Sequence, residues 1–139
     1  IIVMPRHFKH QKGVYKVIRR NRYIFIKDDL HPAMRSIVLL HEIGHDQLHR
    51  KEAVSAGGFQ EFDIFNMADH VMEYEANMFA AQIALPDDEM LEYILGGYNV
   101  AEIARMMHSD INLVALKTAD LNRRGHNLQA QEFRCDFLK

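Results

Sequence analysis

The sequence predicts an α+β domain in which a small antiparallel sheet or hairpin precedes a set of helices. Three observations carry this. β-branched and aromatic residues crowd into residues 14–26, apolar residues recur at helical spacing from Pro32 onward, and Gly57-Gly58, Pro86, Gly96-Gly97 and Gly125 punctuate the rest of the chain. A chain of 139 residues, 48% apolar and 26% charged, is the size and composition of one domain with a real core. Residues 1–139 read as a single unit: a strand region over 1–31, a helical core over 32–95 and C-terminal helices with a tail over 96–139.

Gly13 opens the strand region. Val14 to Ile18 and Tyr23 to Ile26 flank the polar run Arg19-Arg-Asn-Arg22, the pattern of a hairpin and its turn. Asp28-Asp-Leu-His-Pro32 breaks the strand, and Pro32 suits the first turn of a helix over about 32–50. Residues 51–66, with Gly57-Gly58, Phe59, Phe62 and Phe65 in no periodic order, read as a long loop of the kind that serves as a lid or binding segment. A second helix spans about 67–85 and stops at Pro86. Asp87-Asp-Glu89 suits the first turn of a third, ending at Gly96-Gly97. Short helices over about 99–107 and 110–124 come next, and the tail from His126 is irregular.

Composition narrows the function classes. No apolar run reaches the roughly 18 residues of a membrane span, and residues 1–7 are too short and too soon interrupted for a signal peptide. The absence of an initiator Met is what a fragment would show. A lone cysteine, Cys135, rules out an internal disulfide and favours a cytoplasmic setting. Charge is asymmetric. Residues 1–31 carry eight Lys/Arg against two Asp, whereas residues 32–98 carry three basic against twelve acidic groups. We read the basic arm as a solvated hairpin that complements the acidic middle.

The chemistry lies in His41-Glu-Ile-Gly-His45. At 100° per residue, His41 falls in the centre of the apolar arc formed by Leu40, Ala33, Gly44, Ile37 and Leu48, with His45 and Val38 beside it. A stranded buried imidazole costs about 1–3 kcal/mol for each unsatisfied polar group. One metal ion would satisfy both imidazoles, since residues four apart share a face. This is the zincin arrangement: His41 and His45 as Zn²⁺ ligands, and Glu42, on the edge of the arc, as general base toward water. Gly44, costly inside a helix, implies a second backbone packed close.

A zinc site of this kind needs a third ligand. The long metzincin spacing fails, because Leu48 and Lys51 stand where a Gly and a His would be. His49 lies a further turn on and reads as a core or supporting residue. In Glu73-Tyr-Glu-Ala-Asn-Met-Phe-Ala-Ala81 two carboxylates, Glu73 and Glu75, flank the face of Met72, Ala76, Phe79, Ala80 and Ile83, about 80° to either side, and geometry does not choose between them. Tyr74, His70 and His108 are candidates for stabilising an oxyanion, equally unranked.

Together, HEIGHDQLH and EYEANMFAAQIALP resemble the ImmA/IrrE family of bacterial metallopeptidases, over most of the chain from about Tyr15. In that family the Glu directly before the Ala-Asn pair is the zinc-binding one. The resemblance therefore implies one Zn²⁺ held by His41, His45 and Glu75, with Glu42 as base. It also implies a role: endopeptidase cleavage of a helix-turn-helix repressor, in phages, mobile elements or stress regulons. Residues 100–125 themselves look like a helix-turn-helix, but the second helix has only Lys117, Arg123 and Arg124 as cations and Asp120 lies among them. Packing or repressor docking is expected there rather than direct DNA binding, and no membrane contact is expected. The competing reading is a non-catalytic zinc-binding regulator that binds its partner without hydrolysis.

Overall fold

The computed structural model describes residues 1–55 and 67–126. Most of the expected loop over 51–66, Cys135 and nearly all of the expected tail lie outside the described residues. The chain opens with strands β1 (Ile2–Arg6), β2 (Gly13–Ile18) and β3 (Asn21–Lys27). The expected hairpin is β2–β3, antiparallel from Gly13 opposite Ile26 to Ile18 opposite Asn21. Its turn needs only Arg19 and Arg20, both left-handed (φ 49° and 68°). That is the pair of positive φ values that matches a two-residue turn to strand twist.

β1 is an addition to the expectation. It pairs parallel with β3, giving the order β1-β3-β2 and a mixed rather than purely antiparallel sheet. All five of its residues are exposed, so it carries no alternation of apolar and polar residues to read. β3 is central, and its Ile24, Phe25 and Ile26 are buried.

Helix α1 (Pro32–Leu48) starts with Pro32 in its first turn, and the His31 side chain accepts from the Ala33 amide. A short α2 (Arg50–Ser55) comes after His49 caps α1. Then come α3 (Met67–Ala84), α4 (Asp87–Leu95), α5 (Val100–Met106) and α6 (Ile111–Leu121). α5 is closed by a capping box between Asn99 and Glu102, and the Asp110 carboxylate caps α6. Beyond α6, residues 122–126 form a last wide turn that breaks at Gly125 (φ 95°).

α1 lies between two apolar clusters. Leu39 and Ile43 face the sheet with Tyr15, Val17, Ile24, Ile26 and Ala53. Ile37 and Val38 face the helices with Ala81, Leu85, Met90, Leu113 and Leu116. α1 and α3 cross closely. A Cβ placed on Gly44 would lie 3.2 Å from the Ala76 Cα and 3.1 Å from the Phe79 Cβ. A side chain at this mid-helix position would make contacts tighter than ordinary packing, which glycine avoids.

α6 is buried along nearly its whole length, Lys117 included. Lys117 pairs with Gln82 and Asp87, and Arg123 and Arg124 bond Asp120, with Arg124 also reaching Asp87. Lys117, Arg123 and Arg124 are thus held in ion pairs and hydrogen bonds within the chain, tying the end of α6 to α3 and α4.

The sheet is fastened to α1 by Asp46, whose side chain is wholly buried. Its Oδ1 accepts from the Tyr15 hydroxyl at 2.6 Å, and its Oδ2 accepts from Arg22 at 2.9 Å and Arg50 at 3.1 Å. Burial pushes the Asp46 carboxyl up, but Tyr15, Arg50 and Arg22 outweigh it and hold it below the ordinary carboxylate range. Burial and the adjacent Asp46 push the Tyr15 phenol well above its usual value. A depressed folded pKa stabilises the fold fully above the unfolded carboxylate's value near 4 and ceases to do so as pH falls through the folded value. Asp46→Asn should therefore cost about 2 kcal/mol at pH 7, since both arginines remain partly exposed and can turn to water. Denaturant titrations should show the gap between the two proteins closing as pH drops below about 4.

Candidate metal centre

The wedge where α1 passes between α3 and the sheet holds a cluster of buried polar side chains. His41, Glu42 and His45 come from consecutive turns of α1, and Glu73 comes from α3. The His41 and His45 Nε2 atoms are 3.2 Å apart. One Glu73 oxygen lies 3.0 Å from His45 Nε2, and the other lies 3.2 Å from His41 Nε2. Side-chain exposure is 2% or less for all three.

Electrostatics hold these groups in different states. Burial pushes the His41 imidazole down, but the hydrogen bond to Glu73 and the charges of Glu42 and Glu73 outweigh it and raise the value. Burial pulls His45 down to about 4, helped by its histidine neighbours. Burial pushes the Glu73 carboxyl up, yet the two imidazoles more than reverse this and leave it far below the carboxylate range. The two imidazoles and the Glu73 carboxylate are close enough to titrate as one coupled group.

The donor set fits a small divalent cation. In a tetrahedral site with bonds of about 2.0–2.1 Å, ligand atoms stand roughly 3.3–3.4 Å apart. The observed 3.0 and 3.2 Å separations are close to such edges. The Glu73 Oε2 atom is buried with no well-directed hydrogen bond, the kind of acceptor that a cation would satisfy. Two neutral imidazoles and a carboxylate are the donors of one familiar class of catalytic zinc site.

Glu42 stands slightly apart. One of its carboxylate oxygens lies within 4.8 Å of ligand atoms of both His41 and His45, so these three residues also form a group able to hold a metal ion. The 3.0–3.2 Å contacts at the two imidazoles belong to Glu73. Glu42 is wedged against the start of β2, where a Cβ on Gly13 would lie 3.2 Å from the Glu42 Cγ and Oε1 and 2.7 Å from Val38 Cγ1.

The helical wheel left Glu73 and Glu75 open and the resemblance pointed to Glu75; the carboxylate that lies at the imidazoles is Glu73. Glu75 is half exposed and meets His49 Nε2 at 3.2 Å. The reason is the environment of each flank of α3. On Glu73's side the helix surface continues into the core through Asn77, Ala80 and Ala81, all buried, whereas Ile83, counted in the apolar face, is 53% exposed. Asn77 is a functional candidate that the sequence reading missed. It is fully buried, and its side chain is among the groups that raise the His41 value. Its position four residues after Glu73, one turn along the same face, was the available signal. Among the oxyanion candidates, Tyr74 sits against the Arg123 guanidinium, 5.6 Å from its ring centre, and His108 is exposed in the turn between α5 and α6. His70 lies on α3 one turn before Glu73.

A family model for the IrrE N-terminal-like domain, peptidase M78, matches residues 1–117. The chain belongs to this family. Immunity region protein 2 of Bacillus phage phi105, itself uncharacterized, is 35% identical over 118 residues, covering 84% of this chain and 72% of that protein. The M78 match spans every residue of the cluster and both of its helices. Among the described residues, no helix is long and apolar enough to cross a membrane.

Gly13 is a close-approach position beside Glu42. Gly13→Ala should destabilise the protein by about 1–3 kcal/mol, because the new methyl overlaps Val38 and presses on Glu42. Equilibrium unfolding checks this, and an unchanged midpoint would show that β2 yields without cost.

Proposed function

We propose that this chain is a zinc-dependent endopeptidase that cleaves a helix-turn-helix transcriptional repressor. His41, His45 and Glu73 hold the ion, and Glu42 is the general base. The observation that supports this best is the convergence of two imidazole Nε2 atoms and one buried carboxylate, with a second carboxylate oxygen within 4.8 Å of the imidazoles. Glu73 takes the place that the family resemblance gave to Glu75.

Bound there, zinc supplies Lewis acidity, lowering the pKa of a water molecule to about 7 and polarising a carbonyl oxygen. The chain's own residues do the rest. The Glu42 carboxylate accepts the proton of the attacking water and delivers it to the departing amide nitrogen. The start of β2 at Gly13 lies against the Glu42 side chain and leaves it little room to move. His41 and His45 stay aligned because α1 cannot rotate: Asp46 ties it to the sheet, and Gly44 interlocks with α3. The repressor as substrate rests on the resemblance of the two motifs to the ImmA/IrrE family, and the relative's place in a phage immunity region accords with it.

Elemental mass spectrometry of the purified chain should find about one zinc, and Glu73→Ala should lose it. Glu42→Gln should keep the metal and lose cleavage of a co-expressed repressor by about a hundredfold or more. If Glu42→Gln relieves repression as well as the unaltered chain does, the protein is a zinc-binding regulator that acts without hydrolysis.

A further inference from the structure

His49 and Glu75 lie outside the cluster yet are joined to it in a line. His45 Nδ1, the ring nitrogen turned away from Glu73, is 2.9 Å from His49 Nδ1, and His49 Nε2 is 3.2 Å from a Glu75 oxygen. His49 is buried, and its ring is tilted 52° to that of His45 with centroids 5.1 Å apart. Glu75 is half exposed and marks where the line reaches solvent. His45 and His49 sit one turn apart on α1 and its cap, and Glu75 comes from α3, so the line spans the same helix crossing as the cluster.

We infer that His49 and Glu75 are positioning residues that set the tautomer and ring orientation of His45, with Glu75 as the terminal acceptor of a three-residue relay; this rests on His45 being a metal ligand through Nε2. The proton bookkeeping has one solution with neutral rings. A ligand Nε2 presents its lone pair, so His45 carries its proton on Nδ1 and donates it to His49 Nδ1. His49 then carries its own proton on Nε2 and donates to Glu75. A ligating histidine anchored through its other nitrogen to a carboxylate is the usual support for a metal site, and here a second histidine extends the reach to a carboxylate on another helix. The relay gives Glu75 a role without placing it on the ion.

The test uses purified full chain with zinc as the probe, in competition with a chromophoric chelator. Glu75 is on the surface, so its variants should fold as the parent does. Glu75→Ala should bind zinc about tenfold more weakly, the low end for such supports because water competes at a half-exposed carboxylate. Glu75→Gln, whose amide oxygen still accepts from His49, should restore most of the affinity. In the zinc-loaded chain, ¹⁵N shifts should show His45 protonated at Nδ1 and His49 at Nε2. Unchanged affinity in Glu75→Ala, or His49 protonated at Nδ1, would overturn the relay even if Glu73→Ala abolishes binding. A parent chain that binds no zinc would overturn the metal centre and the relay together.

Discussion

The rest of the structure depends on how closely α1 and α3 cross. Gly44 on one helix and Ala76 on the other bring the backbones near enough that a single added methyl group would touch the Ala76 Cα. That approach carries Glu73 to within 3.0–3.2 Å of two imidazole nitrogens. A longer residue at position 44 would hold the helices apart, and the same side chains would then be separate buried polar groups, each stranded at a cost of about 1–3 kcal/mol. The glycine gives up about 1 kcal/mol of helix propensity for this.

Around the crossing, the fold removes the freedom that a catalytic site must lose. Asp46 anchors α1 to the sheet from the side opposite α3, using a buried phenol and two arginines. Gly13 lets β2 come down on Glu42. α6 backs α3 through Ala81 and Leu85, and the Lys117–Gln82–Asp87 contacts lock the far end. The segment that looked like a helix-turn-helix is therefore the buttress of the site. Its second helix commits its cations to internal ion pairs.

Much of this was legible in the sequence. The hairpin, its polar turn and all the long helices obey local rules of alternation, capping and Gly/Pro punctuation. His41, Glu42 and His45 were recognisable because a polar triplet in the middle of an apolar arc needs an explanation. Gly44 was read as a sign of close backbone packing, and Ala76 and Phe79 supply it. β1 was not legible, since its exposed residues lack a period and its partner β3 lies beyond the whole of β2 in the chain. The choice between Glu73 and Glu75 also lay beyond a helical wheel. The two flank the apolar face of α3 almost equally, and what separates them is the crossing with α1, which buries Glu73 against His41 and His45 and leaves Glu75 half exposed. The resemblance pointed to the carboxylate next to the Ala-Asn pair, whereas the tertiary contact favours the one three residues before Ala76.

The most direct measurement of the central claim is the position of the metal in a zinc-soaked crystal, read from anomalous scattering across the zinc edge. The account predicts a single strong peak about 2.0–2.2 Å from His41 Nε2, His45 Nε2 and a Glu73 oxygen, with Glu42 and Glu75 outside bonding distance. A peak bonded to Glu75 or Glu42 in place of Glu73, or no peak between the two histidines, would contradict it.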